Sequence, residues 1–253
     1  NNNPSSSEKD FESLLNQMNE SKNPVILVGG GAQWLPKGFF EKIASKLNIK
    51  IISTYTGVNS IQQENSLYDG MIGPFGHPKA NKTLVEASDL FILGARIPNR
   101  AFPVLSESSS QKFQSVRKWV LTVDPSEFIN HKIGPLEKIY LGLLYDFCKY
   151  VESKIPDTNS SPQILHSAEN ILPEGMFAAE STTKNKSSQI ENTYTVDGLI
   201  NSLNNALPDN SDIFVDVGQN AVALVLGLKR NRGERLFSSW ANSPMGYSLP
   251  AAL

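Results

Sequence analysis

Pro24-Val25-Ile26-Leu27-Val28-Gly29-Gly30-Gly31 is an apolar run without a polar interruption, closed by three glycines. An uninterrupted apolar run bounded by turn formers reads as a strand buried on both faces, which is the pattern of a parallel sheet. Similar runs follow at Ile49–Thr54, Leu90–Gly94 and Trp119–Asp124. Around them, apolar residues recur at helical spacing. Phe11, Leu14, Leu15 and Met18 predict one helix, and Phe39, Phe40, Ile43, Ala44 and Leu47 place another over 38–47. A short helix closes at Leu84–Ala87. Strands alternating with helices predict an α/β fold with a doubly wound parallel sheet.

Composition bounds the rest. A chain of 253 residues suits about two domains. A hydrophobic fraction of 40% and a charged fraction of 19% describe an ordinary globular protein. The net charge of −2 offers no attraction for nucleic acid or an anionic membrane surface. Cys148 is the single cysteine, which excludes a disulfide framework and a cysteine zinc site and fits a reducing cytoplasm. No apolar stretch approaches the ~18 residues of a membrane span, and Asn1–Asp10 lacks the layout of a signal peptide. His77, His131 and His166 show no metal-ligand spacing and read as surface histidines.

The text divides into a disordered polar lead-in at 1–10, a central α/β domain at 11–156, a linker at 157–192 and a second domain at 193–253. The linker is rich in Ser, Asn, Thr, Lys and Pro. After it, Thr195 is suited to cap a helix through Leu203, Ile213–Val217 reads as a strand, and a helix follows from Ala221.

Four segments could bind a ligand. Gly29-Gly30-Gly31 would let a phosphate or ribose approach the backbone, or would simply make a tight turn. The dinucleotide fingerprint is absent, because Trp34 holds its third-glycine position and no acid ends the second strand. Gly94-Ala95-Arg96-Ile97-Pro98-Asn99-Arg100 brings two arginines just past a strand end, where a diphosphate could be held. A solvated loop is the plainer alternative. In Ile213-Phe214-Val215-Asp216-Val217-Gly218-Gln219-Asn220 a strand stops at a glycine turn that opens a helix, a natural anion site. About two dozen residues on, Ser243-Pro244-Met245-Gly246 leads into a small-residue helix start. Met245 is either a flexible core filler or a residue that meets a ligand.

In this order, these pieces, together with Thr56-Gly57, Gly73-Pro74-Phe75-Gly76-His77 and Val123-Asp124-Pro125, resemble thiamine diphosphate enzymes of the acetolactate synthase group. The resemblance implies a central domain of the type that binds FAD or another nucleotide, followed by the beginning of a thiamine diphosphate-binding α/β domain. It implies FAD held by Gly29, Gly30, Gly31, Arg96, Arg100 and Asp124. It implies the diphosphate of thiamine diphosphate held by Gly218, Gln219 and Asn220, with Gly246, the main-chain oxygen of Ser243 and the side chain of Met245 against its rings. Phe75 stands where the family usually has histidine, and Pro98 and Asn99 where it has acids.

By the same resemblance the magnesium ligands would follow Leu253 and the activating glutamate would precede Asn1. The chain is therefore expected to be a piece of a cytoplasmic enzyme, inactive alone, with neither a catalytic residue nor a metal ligand of its own. The intact enzyme is expected to be a homodimer or homotetramer that decarboxylates a 2-oxo acid and joins it to a second carbonyl, as in branched-chain amino acid biosynthesis. Two rivals are a decarboxylase of the oxalyl-CoA type with ADP in the central domain, and a nucleotide-binding module without catalysis. A sirtuin-like deacylase would need four zinc-binding cysteines.

Overall fold

The computed structural model describes residues 7–36, 38–96, 107–129, 133–134, 136–155, 195–230, 233–240 and 242–253. The chain divides into two compact units, Asn1–Leu165 and His166–Leu253.

The first unit is built on six parallel strands in the order β3-β2-β1-β4-β5-β6. They are β1 (Pro24–Val28), β2 (Lys50–Ser53), β3 (Tyr68–Met71), β4 (Asp89–Leu93), β5 (Arg117–Thr122) and β6 (Lys138–Leu141). Each face of the sheet carries its own core. Ile26, Val28, Ile51, Phe91 and Leu93 pack with α1 (Glu8–Glu20), α2 (Phe39–Leu47) and α6 (Leu144–Lys154). Val25, Leu27, Ile52, Leu90 and Ile92 pack with α3 (Pro78–Glu86), α4 (Glu107–Ser115) and Phe128 of α5 (Ser126–Ile129). Alternate residues of β1 thus serve opposite faces, and both must be apolar. The doubly wound sheet is the expected one.

Several boundaries differ from the sequence reading. Helix α1 starts at Glu8, inside the expected lead-in, because Ser7 caps it by accepting from the Asp10 N–H at 3.3 Å. Four strands were expected here, and β3 and β6 are additional. Strand β3 is Tyr-Asp-Gly-Met, with a polar residue and a glycine where an apolar pattern would show. Asp69 is buried there only because Lys50, Lys79 and Thr83 reach it, at 3.3, 2.7 and 2.7 Å. Strand β6 lies at the sheet edge and is partly exposed. His77 is half-buried rather than on the surface. Its Nδ1 accepts from the Met71 N–H at 3.0 Å, and a Cβ at Gly70 would collide with its ring. The linker, His131 and His166 lie outside the described residues.

Lys118 on β5 is fully buried and donates to the carbonyls of Phe113 and Val116 at 2.9 and 2.7 Å, closing the end of α4. Burial pushes its ammonium down to about 8, against a smaller opposing pull from Glu137. A neutral amine still has two N–H groups for the two carbonyls. Between about pH 8 and pH 10.5 the unfolded chain retains a proton that the folded chain has lost, so stability should rise with pH. Urea titrations of wild type and Lys118→Met across that range should diverge by up to about 3 kcal/mol in favour of wild type, at ~1.4 kcal/mol per pKa unit. The comparison is needed because the buried Cys148 thiol, raised by burial, acts in the opposite sense above about pH 9.

The second unit contains α7 (Val196–Ala206), β7 (Asp212–Phe214), α8 (Gln219–Gly227), β8 (Arg235–Phe237) and α9 (Ser248–Ala252). Thr195 caps α7 as expected, accepting from the Gly198 N–H at 3.0 Å. Strand β7 is shorter than the expected Ile213–Val217 and pairs parallel with β8, a strand the sequence did not announce.

Candidate functional site

Doubly wound sheets bind ligands beyond the carboxyl ends of their strands, where the strand order reverses. Here that point lies between β1 and β4, whose following loops are Gly29–Gly31 and Gly94–Arg96. The structure brings these two expected segments together. Gly29 N–H donates to the Leu93 carbonyl at 3.3 Å and Gly31 N–H to the Gly94 carbonyl at 2.9 Å. A Cβ at Gly29 would run into the Ala95 backbone, and one at Gly31 would come within 2.8 Å of the Gly94 oxygen. Close loop packing therefore accounts for both glycines, and their N–H groups are already engaged. Gly30 is the start of a 3-10 helix through Trp34, and a Cβ there would meet Thr56 at 3.1 Å.

Among the described residues, charge at this end comes from Arg96, which is exposed, and Asp124 beyond β5. Asp124 is held below the usual carboxylate range first by the Ser126 hydroxyl at 2.6 Å and then by the Ser126 N–H at 3.0 Å, with a smaller contribution from Arg96. Arg100 lies outside the described residues. An anionic group fits best at Arg96. The donor set does not single out a flavin.

In the second unit, β7 and β8 are locked side by side. Arg235 donates to both Asp212 oxygens, at 2.7 and 2.6 Å, and Phe214 stacks on Phe237 with centroids 5.1 Å apart. Helix α8 is fixed against α7, where a Cβ at Gly227 would come 2.9 Å from Ile200. Asn204 closes the far end of α8, donating to the Gly227 carbonyl at 3.1 Å and accepting from Lys229 N–H at 2.8 Å. The near end of α8 starts at Gly218, whose φ of 115° is a glycine conformation, and no side chain caps it. Gly218, Gln219 and Asn220 are all exposed. An uncapped helix start leaves backbone donors for an anion.

Ser243 and Gly246 also have positive φ, 48° and 85°, so the chain turns sharply on both sides of Met245. Met245 is 91% exposed, so nothing in the described part of this chain packs it as a core filler. Its turn is joined to the end of β7 by Asp216, which sequence reasoning passed over. Asp216 Oδ1 accepts from Tyr247 N–H at 2.7 Å and Oδ2 accepts from the Ser248 hydroxyl at 2.9 Å. Burial alone would raise this carboxyl, but these hydrogen bonds, with others from the Ser248 and Gly246 backbone, hold it below its usual value. The available signal was an acid at a strand end, two residues before a glycine turn.

Among the described residues no cluster of acids, histidines and cysteines could hold a metal ion, and no helix is long and apolar enough to cross a membrane.

Residues 11–138 match the family described as "Thiamine pyrophosphate enzyme, central domain". The acetolactate synthase large subunit of Cyanidium caldarium is 29% identical over 251 residues, covering 97% of this chain and 40% of the relative. The large subunit of acetolactate synthase isozyme 1 from Escherichia coli K12 is 25% identical over 256 residues, covering 99% and 42%. A 3D-(3,5/4)-trihydroxycyclohexane-1,2-dione hydrolase from Bacillus subtilis is 26% identical over 158 residues, covering 60% and 24%. This chain thus spans about two fifths of the synthase subunits it matches. A solved structure of a candidate thiamin diphosphate-dependent enzyme from Mycobacterium smegmatis shares the fold, with a TM-score of 0.62 at 15% identity over 98% of this chain and 44% of that one. By the match over residues 11–138 and a sheet of the expected order, the chain belongs to the thiamine pyrophosphate enzyme family and carries its central domain.

Proposed function

We propose that this chain forms part of a thiamine diphosphate-dependent enzyme of the acetolactate synthase kind, acting on 2-oxo acids. The observation that carries the reading is the joining, through Asp216, of an uncapped glycine helix start to a turn that exposes Met245. A diphosphate with attached rings needs those two features together: backbone donors at one end, and an apolar support with a main-chain acceptor at the other. Gly218, Gln219 and Asn220 would hold the diphosphate. Ser243 would accept through its main-chain oxygen, and Met245 and Gly246 would face the rings. When bound, thiamine diphosphate supplies an electron sink for the carbanion character left by decarboxylation. The chain's own part is to bind and orient it. Magnesium, which would accompany the diphosphate, takes its ligands from outside this chain in this reading, as does the activating glutamate.

In the first unit, Arg96 would meet the phosphate of a nucleotide, with Asp124 beside it. The domain boundaries we propose are 11–156 and 193–253, with the linker at 157–192 the first place limited proteolysis should cut.

The test uses the full-length protein. It should bind thiamine diphosphate with magnesium in calorimetry and convert pyruvate to an acetohydroxy acid. Absence of thiamine diphosphate binding would overturn the reading. The nucleotide retained after gentle purification separates the variants of it: a flavin spectrum favours the synthase, and colourless protein carrying ADP favours a decarboxylase of the oxalyl-CoA type.

A further inference from the structure

Asp216 lies about thirty residues before the segment it holds. A single carboxylate accepts from the Tyr247 N–H and the Ser248 hydroxyl, two consecutive residues just after the Met245-Gly246 turn. The same carboxylate sits two residues before Gly218, where the backbone leaves β7 and turns into α8. One side chain thus ties the backbone beside the glycine helix start to the segment that follows Met245, in addition to the β7–β8 pairing and the Ser243 N–H to Ser239 carbonyl bond. The turn has positive φ on either side of Met245, at Ser243 and at Gly246, where glycine adopts it freely, and Met245 is 91% exposed. Such a turn has little packing of its own to hold it, so its position depends on what it is tied to.

We propose that Asp216 is a positioning residue for the cofactor: it holds the Ser243–Tyr247 backbone at the spacing from Gly218 that lets one ligand meet both ends at once. This rests on the thiamine diphosphate reading given above. A ligand with a diphosphate at one end and rings at the other has a fixed span. If the turn is held beforehand, the ligand does not have to order it on binding. With the carboxylate gone, that ordering falls on the ligand and affinity drops. The Tyr247 N–H needs an acceptor at Oδ1, whereas the Ser248 hydroxyl can either donate or accept, so asparagine should keep most of the function.

The experiment measures thiamine diphosphate affinity in the full-length protein by calorimetry, with magnesium and without substrate, alongside the melting temperature of the cofactor-free protein. Asp216→Ala should weaken binding at least about tenfold, which is what one hydrogen bond to a charged group amounts to. Asp216→Asn should restore affinity to within a few-fold of wild type, and Ser248→Ala should fall between. A structural role alone would lower the melting temperature and leave affinity per folded molecule unchanged. That result, with wild type binding normally, would overturn the positioning role and leave the cofactor reading standing. A wild type that does not bind thiamine diphosphate would overturn both. Should Asp216→Ala fail to fold, Ser248→Ala carries the test: unchanged affinity in that variant would count against the proposal, and a loss would support it.

Discussion

Met245→Ala in the full-length protein should lower turnover by about a hundredfold while thiamine diphosphate affinity changes only a few-fold. The diphosphate contacts proposed at Gly218 and Gln219 do not involve this side chain, and Asp216 still holds the backbone turn. What is lost is the apolar support under the rings. Misplacement of reacting groups by about 1 Å can cost ~10²-fold in rate. Stability should barely move if the cofactor role holds, because nothing within this chain packs on the side chain, which is 91% exposed here, and surface truncations usually stay within about 0.5 kcal/mol. A buried methionine would behave in the opposite way, losing roughly 2–5 kcal/mol and only as much activity as folded protein. Melting temperature, cofactor affinity and turnover measured on one preparation decide it. Normal turnover per folded molecule would remove Met245 from the cofactor's surroundings.

Asp89→Ala should destabilise the first unit by about 3 kcal/mol, because several part-buried donors lose their acceptor at about 1–3 kcal/mol each. At ~2–4 °C per kcal/mol this lowers the melting temperature by roughly 6–12 °C. Asp89 is 1% exposed at the start of β4, at the end of the sheet away from the candidate site. It accepts from Arg117 Nε at 2.8 Å and Nη2 at 2.9 Å, from Trp119 Nε1 at 2.9 Å, and from the hydroxyls of Ser21 and Ser88 at 2.5 and 3.0 Å. Helix α1, β4 and β5 therefore share one carboxylate. Arg117 is half exposed and can turn to water, so the cost comes mainly from the stranded Trp119 and serine donors.

Burial alone would raise the Asp89 carboxyl, but the hydrogen bonds from Ser21, Trp119, Arg117 and Ser88 outweigh it and hold the group below 3.8. A depressed carboxyl contributes stability that is present above its unfolded value and lost as pH falls through its folded value. Wild type should thus lose stability below about pH 4, and Asp89→Asn should lose less over that window. Chemical denaturation at pH 7 and pH 3 checks both statements. Equal acid sensitivity in the variant would assign that loss to other carboxylates.

Much of the fold was legible in the chain because burial on both faces leaves an unbroken apolar run. Val25 and Leu27 serve one core, Ile26 and Val28 the other, and β1, β2, β4 and β5 were readable for that reason. Helices α1 and α2 were readable from one-sided apolar spacing. At the candidate cofactor segment, Gly218 was readable as a turn between strand and helix, and its φ of 115° is one that glycine adopts freely. These are local consequences of residue type, and the sequence by itself determined them.

The tertiary structure decided the rest. Asp69 and Gly70 in β3 have no strand signature until Lys50, Lys79, Thr83 and the His77 ring close around them. Gly29 and Gly31 could serve a phosphate or a tight turn as far as sequence went, and only the loop after β4, which a Cβ at either would strike, shows the packing that needs glycine there. Whether Met245 was core or surface could not be read from its neighbours in sequence, because exposure is set by what packs on a residue. Asp216 acquires its meaning from Tyr247 and Ser248, about thirty residues away in sequence and within hydrogen-bond reach in space. Local pattern records what a residue can bury or how it can turn, whereas a polar side chain's partner is chosen only when the chain has closed upon itself.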